Sequence, residues 1–190
     1  MRIRVNLLIV LFAVVFLVAS AGCQRSGVQA ARENDPTPQK ILSIDDQKFL
    51  HTAERSLIRQ NTFAQIAIQR SRNASIQAFA TKVSNDMSVA LTELKDLMKA
   101  KHMEEPAGFA SEVHSESAER LRNASDDAID HEFVSLMAAE QQDAVRIFDS
   151  AAQTAADPDV RNYAKRVLPS LQADYDKVTD LQKKLATPSK

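Results

Sequence analysis

The residues of this chain that could carry chemistry are few and scattered. His51 and Glu54 are three positions apart and Asp127 and His131 are four apart, so on a helix each pair shares one face. Each could form a surface hydrogen bond or half of a metal site, and the solvated helix surface is the favoured interpretation. The Glu-x-x-His pattern of di-iron helical bundles does not occur. These pairs therefore predict no metal site by themselves.

The methionines and the remaining polar residues give little further sign of catalysis. Four methionines are interpreted as core filler rather than as a copper site: Met87, Met98, Met103 and Met137. No local pattern of a serine or cysteine nucleophile and no glycine-rich phosphate loop is present. We therefore predict that the protein is not an enzyme and has no cofactor.

Composition indicates an all-helical protein without a nucleic-acid surface. Only three glycines occur in 190 residues, 44% of the residues are hydrophobic, and tryptophan is absent. The formal net charge is −1, and without Arg2 and Arg4 of the N-terminal segment 22 basic residues stand against 25 acidic ones, or −3. The charges are interspersed, so no basic patch predicts nucleic acid as a partner.

Two long amphipathic segments have the same apolar pattern, 84 positions apart. Residues 73–101 and 157–184 both place apolar residues at helical spacing, and neither can bury its stripe alone. The matching positions are Ile76 and Val160, Phe79 and Tyr163, Ala80 and Ala164, Lys82 and Arg166, Val83 and Val167, and Met87 and Leu171. The offset predicts a four-helix bundle built from two duplicated helical hairpins.

The other helices complete this bundle, which we place at residues 43–186. The first is predicted over 44–72 with Ser43 as its N-cap, and the third from near Ser125. Residues 109–123 are predicted to contain a short amphipathic crossover helix, as in ferritin-like bundles, although spacing alone also allows an up-down-up-down order. Asn73 and Asn123, each in a glycosylation-type triplet, are interpreted as helix caps, and residues 187–190 as a frayed tail.

The N-terminal segment is typical of export. Residues 1–22 combine a basic start, an apolar run over 7–18 and small residues, as a signal peptide does. The only cysteine, Cys23, follows directly and resembles the acylated cysteine of a bacterial lipobox, although Ser20 departs from that pattern. Residues 23–42 then read as a lipidated cysteine and a flexible tether. The alternative is cleavage after Ala21, which releases a soluble protein with a free thiol.

The chain resembles a family of exported bacterial ferritin-like bundles of unknown function, the domain of unknown function 4142, often described as predicted outer membrane proteins. The resemblance covers roughly 46–185 and rests on collinear short motifs: Phe49 with Ala53, Phe79-Ala80 followed by 83–86, Ile147-Phe148, 156–158 and 167–169. It implies ligand positions, a glutamate at Gln60 and histidines at Met87, Gln141 and Asp174. Here all four are replaced, and a thioether, two amides and one carboxylate remain. We therefore predict that this member binds no metal there.

Our leading hypothesis is a non-catalytic, lipid-anchored protein of the cell envelope that acts as an interaction or stress-response module. We expect it at the outer membrane, facing the periplasm, with the membrane as one partner and an envelope protein as a second candidate partner. An interaction role predicts exposed apolar groups over 109–121. The alternatives are a divergent ferritin-like metal-binding protein, with His51, Glu54, Asp127 and His131 as ligands, and a carrier of a small apolar ligand between the hairpins.

Overall fold

The computed structural model describes residues 41–103 and 114–187, all within one compact unit, Lys40–Lys190. In these residues the chain has four long helices, one short helix and no strand, so the predicted all-helical class is confirmed. The predicted signal peptide, Cys23, the tether up to residue 40 and residues 188–190 lie outside the described residues. The helices are α1 (Ile44–Arg70), α2 (Ala74–Ala100), α3 (Glu116–Arg122), α4 (Ile129–Thr154) and α5 (Pro158–Ala186).

Three of the long helices begin at the caps that the sequence predicts. The side chains of Ser43, Asn73 and Asp157 accept hydrogen bonds from amides in the first turns of α1, α2 and α5. Pro158 occupies the first position of α5, where its missing N–H costs nothing. Short polar side chains thus fix the start of each of these three helices.

The predicted start of the third long helix, near Ser125, is wrong by one turn. Residues 126–128 form a turn, and α4 begins at Ile129. The carbonyl of Ser125 accepts the amides of Ala128 and Ile129, and no side chain caps α4. Asn123 is not an N-cap either, because it ends α3 as its C-cap residue.

The core consists of the stripes of the long helices, in the predicted register. Both members of the apolar repeat pairs are buried, as the relative exposures of Phe79 (3%) and Tyr163 (1%) illustrate. The Tyr163 hydroxyl donates to the carbonyl oxygen of Ala90 at 3.0 Å, so its polar end is satisfied inside the core. A few buried polar side chains, among them Gln60, Gln141 and Asp174, interrupt an otherwise apolar core.

Contacts between helices fix their relative directions. Phe49 near the start of α1 packs on Phe148 near the end of α4, with ring centroids 5.2 Å apart. Ser71, just after α1, donates to Asp130 at the start of α4 at 2.5 Å. Helices α1 and α4 are therefore antiparallel. Since a three-residue connection reverses the chain between α1 and α2, α2 and α4 run in the same direction.

One end of the molecule is held together by carboxylates. Asp46, which is 2% exposed, accepts the backbone amides of Ala156 and Asp157, both at 3.0 Å. The ammonium of Lys101, just after α2, lies 2.9 Å from Asp157 and 2.7 Å from Asp159. The start of α1, the end of α2 and the α4–α5 turn therefore meet at this end.

The short helix α3 packs on the bundle rather than presenting an apolar surface. Ala118 and Leu121 are both 0% exposed, so the predicted exposed apolar stripe over 109–121 is wrong for its described part, and Phe109 lies outside it. Arg70 fixes the following turn, donating to the backbone carbonyls of Arg122 and, at 2.7 Å, Ala124. No helix in 41–103 or 114–187 is long and apolar enough to cross a membrane.

Candidate functional site

Four residues from the four long helices form what we call the interior set: Gln60, Met87, Gln141 and Asp174. Each lies near the middle of its helix, and none is more than 1% exposed. These are the positions at which the family resemblance implies ligands, and the structure buries all four.

An ion pair on the flank of the bundle shows that the two glutamines of the set lie in a common layer. The guanidinium of Arg59 binds both carboxylate oxygens of Glu140, at 3.0 and 3.1 Å. Arg59 directly precedes Gln60, and Glu140 directly precedes Gln141, so the two amides lie at the same height on α1 and α4.

The two buried glutamines are only partly satisfied. The amide nitrogen of Gln60 donates to the Ser56 hydroxyl at 3.0 Å, and that of Gln141 lies 3.9 Å from the sulfur of Met137. Both amide carbonyl oxygens are buried without a hydrogen-bond partner among the described groups. A buried acceptor without a donor costs about 1–3 kcal/mol. The interior therefore carries polar groups that a purely apolar core would avoid.

The carboxylate of Asp174 is held by Lys82, which no part of the sequence analysis singled out as functional. Its Oδ1 accepts from the ammonium of Lys82 at 2.6 Å, and its Oδ2 is buried without a partner within the described chain. Lys82 also lies 2.7 Å from Asp86, which accepts the Ser170 hydroxyl at 2.7 Å. This chain of polar groups runs from the surface between α2 and α5 into the core.

Burial and pairing set the proton affinities along this chain. Burial raises the pKa of Asp174 above its ordinary value, and the hydrogen bond and charge of Lys82 offset this only in part. For Lys82, burial acts to lower the pKa, but its bonds to Asp174 and Asp86 outweigh burial and raise it. For Asp86, burial acts to raise the pKa, and the bonds from Lys82 and Ser170 outweigh it and lower it.

This arrangement is poorly suited to a pair of hard divalent metal ions. Such ions need several anionic oxygen ligands, whereas the interior set offers one carboxylate that an ammonium already neutralises. A dication bound to Asp174 would also be repelled by Lys82. Among the described residues, no group of three or more histidine, cysteine, aspartate or glutamate side chains could hold a metal ion.

The two histidine pairs of the sequence analysis have different environments. Asp127 and His131 are exposed, in agreement with the solvated-surface interpretation. That interpretation is wrong for Glu54, which is 1% exposed, because α1 turns this face towards the end of α2. His51 is half-buried, and its Nδ1 has no hydrogen-bond partner among the described groups. The structure does not bring the two pairs together into one metal-binding group.

Glu54 lies in a pocket beside the end of α2, which we call the α2-end pocket. Its volume is about 490 Å³. Its walls contain two thioethers, one imidazole and four charged groups: Met98, Met103, His102, Glu54, Lys95, Asp96 and Lys99. Met87, Met98 and Met137 are core residues as predicted, at 1%, 3% and 0% exposure, whereas Met103 is only half-buried. The four methionines are thus of two kinds, which their sequence spacing does not reveal.

A second concavity of about 370 Å³ lies between α2 and α5, that is, between the two hairpins. Its walls are of mixed polarity and include Val89, Val167, Asp86, Glu93 and Arg166. The carrier hypothesis requires a cavity in this region, and this groove is the space that a small ligand would have. Its charged rim differs from the apolar lining that such a ligand prefers.

Comparison with known proteins identifies the family and the fold. The family model described as "Domain of unknown function (DUF4142)" matches residues 31–181. A comparison with curated protein sequences gives no match.

Solved structures similar to this chain include a DUF305 fragment from Deinococcus radiodurans, at 13% identity and a TM-score of 0.67, covering 75% of this chain and 98% of that one. CopM in a Cu(I)-bound form is similar at 17% identity and a TM-score of 0.64, with 75% and 98% of the two chains covered. CopM in a Cu(II)-bound form is similar at 16% identity and a TM-score of 0.60, with 74% of this chain and 97% of that one covered. At these identities the likeness concerns the fold.

Proposed function

The chain belongs to the DUF4142 family, whose function is unknown, and we propose that it is a non-catalytic, lipid-anchored helical-bundle protein of the cell envelope. In this proposal the bundle is an interaction or stress-response module that faces the periplasm from the outer membrane. Its partners are the membrane, through Cys23, and an envelope protein. Nucleic acid is not a partner.

We propose further that the fold is a ferritin-like four-helix bundle. The directions of the helices support this assignment: α1 and α4 are antiparallel, and α2 and α4 run the same way. In a simple up-down-up-down bundle, α2 and α4 would be antiparallel if α4 followed α2 directly. The end of α2 and the start of α4 instead lie at opposite ends of the helices, as in bundles with a crossover connection.

The observation that carries the non-catalytic part of the proposal is the pairing of Lys82 with Asp174. In di-metal bundles the interior carboxylates are the metal ligands and the source of reactivity. Here the one interior carboxylate at the implied ligand positions lies 2.6 Å from an ammonium, and its neighbours are amides and a thioether. This set offers neither a nucleophile nor a strong hard-metal site.

The lipid anchor rests on the sequence. An apolar run over 7–18 is followed by small residues and Cys23, and the predicted tether of about 20 residues separates Cys23 from the bundle. A flexible chain of that length has an end-to-end distance of about 25 Å. An anchored bundle would therefore stay within a short distance of the membrane surface, where an envelope partner can reach it.

The anchor is tested by expressing the full chain and Cys23→Ser in a Gram-negative host. We expect the wild-type chain in the outer-membrane fraction, with an N-terminal peptide that begins at an acylated Cys23 by mass spectrometry. Cys23→Ser should lose the acyl mass and move to a soluble envelope fraction. An unmodified N-terminal peptide that begins at Gly22 in the wild type would show cleavage after Ala21 and refute the anchor.

The second candidate function is metal binding. The observation that favours it is the similarity of the fold to that of CopM, which has been solved in copper-bound forms, together with the thioether and imidazole groups around the α2-end pocket. The 17% identity transfers no ligand from that protein. The candidate therefore depends on this chain's own residues.

A further inference from the structure

The end of α2 has a backbone motif that normally requires glycine. The amide of Met103 donates to the carbonyl of Met98 at 2.9 Å, and the amide of His102 donates to that of Lys99 at 3.0 Å. These two bonds define a Schellman motif, in which the residue after the cap adopts a left-handed conformation. Here that residue is His102, with φ of 54°.

A histidine at this position is unfavourable for folding alone. A left-handed conformation costs a residue with a Cβ about 1–2 kcal/mol, and glycine or asparagine is the usual choice. Among the described residues other than glycine, His102 alone has a positive φ. Strained backbone of this kind concentrates at functional sites, where the side chain repays the cost.

The motif also explains how three soft donors come to border one pocket. The bond from Met103 to Met98 folds the chain back over the last turn of α2, and His102 lies in this returning segment. All three residues border the α2-end pocket. A hydrophobic contact between Met98 and Met103 would accompany the motif in any protein. That contact brings the two thioethers together, and the imidazole of His102 borders the same pocket.

From this geometry we propose that Met98, His102 and Met103 form a binding site for Cu(I). Thioether sulfur and imidazole nitrogen are soft or intermediate donors that favour Cu(I) over magnesium, calcium or manganese. The charged groups of the walls, Glu54, Asp96, Lys95 and Lys99, sum to zero formal charge. A neutral donor set in a pocket without net charge suits a monovalent ion better than a divalent one.

This inference is independent of the lipid anchor and of the interior set, and gives the metal-binding candidate a definite place. It involves binding only: copper is supplied as Cu(I) and leaves as Cu(I). Cys23 has to be controlled for, because a free thiolate would bind the same ion. The test therefore uses the full chain with Cys23→Ser as the reference protein.

The experiment measures Cu(I) affinity without oxygen, in ascorbate, by competition with a coloured Cu(I) chelator. Met98→Leu and Met103→Leu remove one sulfur each while keeping apolar volume, and His102→Gly removes the imidazole while suiting the backbone. Met87→Leu and Met137→Leu are matched controls in the core. Circular dichroism of each metal-free variant checks that it is folded.

We expect about one Cu(I) per reference chain, and at least a roughly tenfold weaker affinity in each pocket variant. The core controls should bind as the reference does. His102→Gly should also raise the melting temperature of the metal-free protein by a few degrees, because the strain is removed. A purely structural histidine would give that stabilisation without loss of binding. Absence of Cu(I) binding, or equal affinity in the pocket variants and the reference, would overturn the proposal.

Discussion

Replacing Lys82 by methionine should destabilise the protein chiefly through Asp174. Removing one partner of a fully buried ion pair costs about 3–5 kcal/mol, because the other charge stays buried and unpaired. The side chain of Asp174 is 1% exposed, whereas that of Lys82 is 50% exposed. Water can therefore replace part of the stabilisation that the Lys82 ammonium provides. We expect the free energy of unfolding to fall by about half of that cost, or roughly 2 kcal/mol. For a folded unit of this size the melting temperature would fall by about 4–8 °C.

The pH dependence of this loss has a definite sign. Because burial holds the pKa of Asp174 above its ordinary value of 3.8, the folded chain binds more protons than the unfolded chain in the window just above pH 3.8. Stability contributed by this group therefore falls as the pH rises through that window. Without Lys82 the pKa of Asp174 rises further. The cost of Lys82→Met should accordingly be smallest below pH 3.8 and largest at neutral pH.

The assay is a double-mutant cycle of thermal unfolding, followed by circular dichroism at acidic and neutral pH. Asp174→Asn keeps an acceptor for Lys82 but removes the buried charge, so Lys82→Met should cost much less in that background. Asp86→Asn is the control for the more exposed partner, whose pairing is worth about 0.3–0.5 kcal/mol. Equal losses from Lys82→Met in both backgrounds, or a loss that does not change with pH, would refute the reasoning.

Two further predictions concern the ends of the helices. Asp46→Asn should lower the free energy of unfolding by about 1–3 kcal/mol in urea titrations, because one amide oxygen cannot replace both carboxylate bonds to Ala156 and Asp157. The same change at exposed Asp45 should have little effect on stability. Equal losses of stability from the two substitutions would contradict the role of the hydrogen bonds that Asp46 accepts. Arg70→Met should speed hydrogen exchange of α3, because its bonds to the turn between α3 and α4 are lost. Unchanged exchange in α3 would show that α3 is held without Arg70.

The long helices could be predicted because their stripes repeat. Phe79 and Tyr163 occupy equivalent buried positions 84 residues apart, and the caps Ser43, Asn73 and Asp157 are local signals. The start of α4 could not be predicted in the same way. Its N-terminus has no side-chain cap and follows a turn held by backbone bonds.

The candidate sites were predictable only in part. The positions of the interior set came from the family resemblance, but their burial depends on the packing of the helices. Lys82 and Asp174 are 92 positions apart and give no local signal, although Lys82 and Asp86 are visible as a helical pair. The α2-end pocket was missed because its motif has His102 where the usual signal is glycine.

The pairing of Lys82 with Asp174 predicts that the interior set is not a hard-metal centre. The most direct test is metal analysis of the full chain after incubation with manganese, ferrous iron or zinc and removal of unbound metal, in parallel with Asp174→Asn. We expect that neither protein retains a stoichiometric metal in the interior, so their metal contents should not differ. Stoichiometric metal in the wild type that is lost in Asp174→Asn would contradict it and restore metal-dependent chemistry to the interior set.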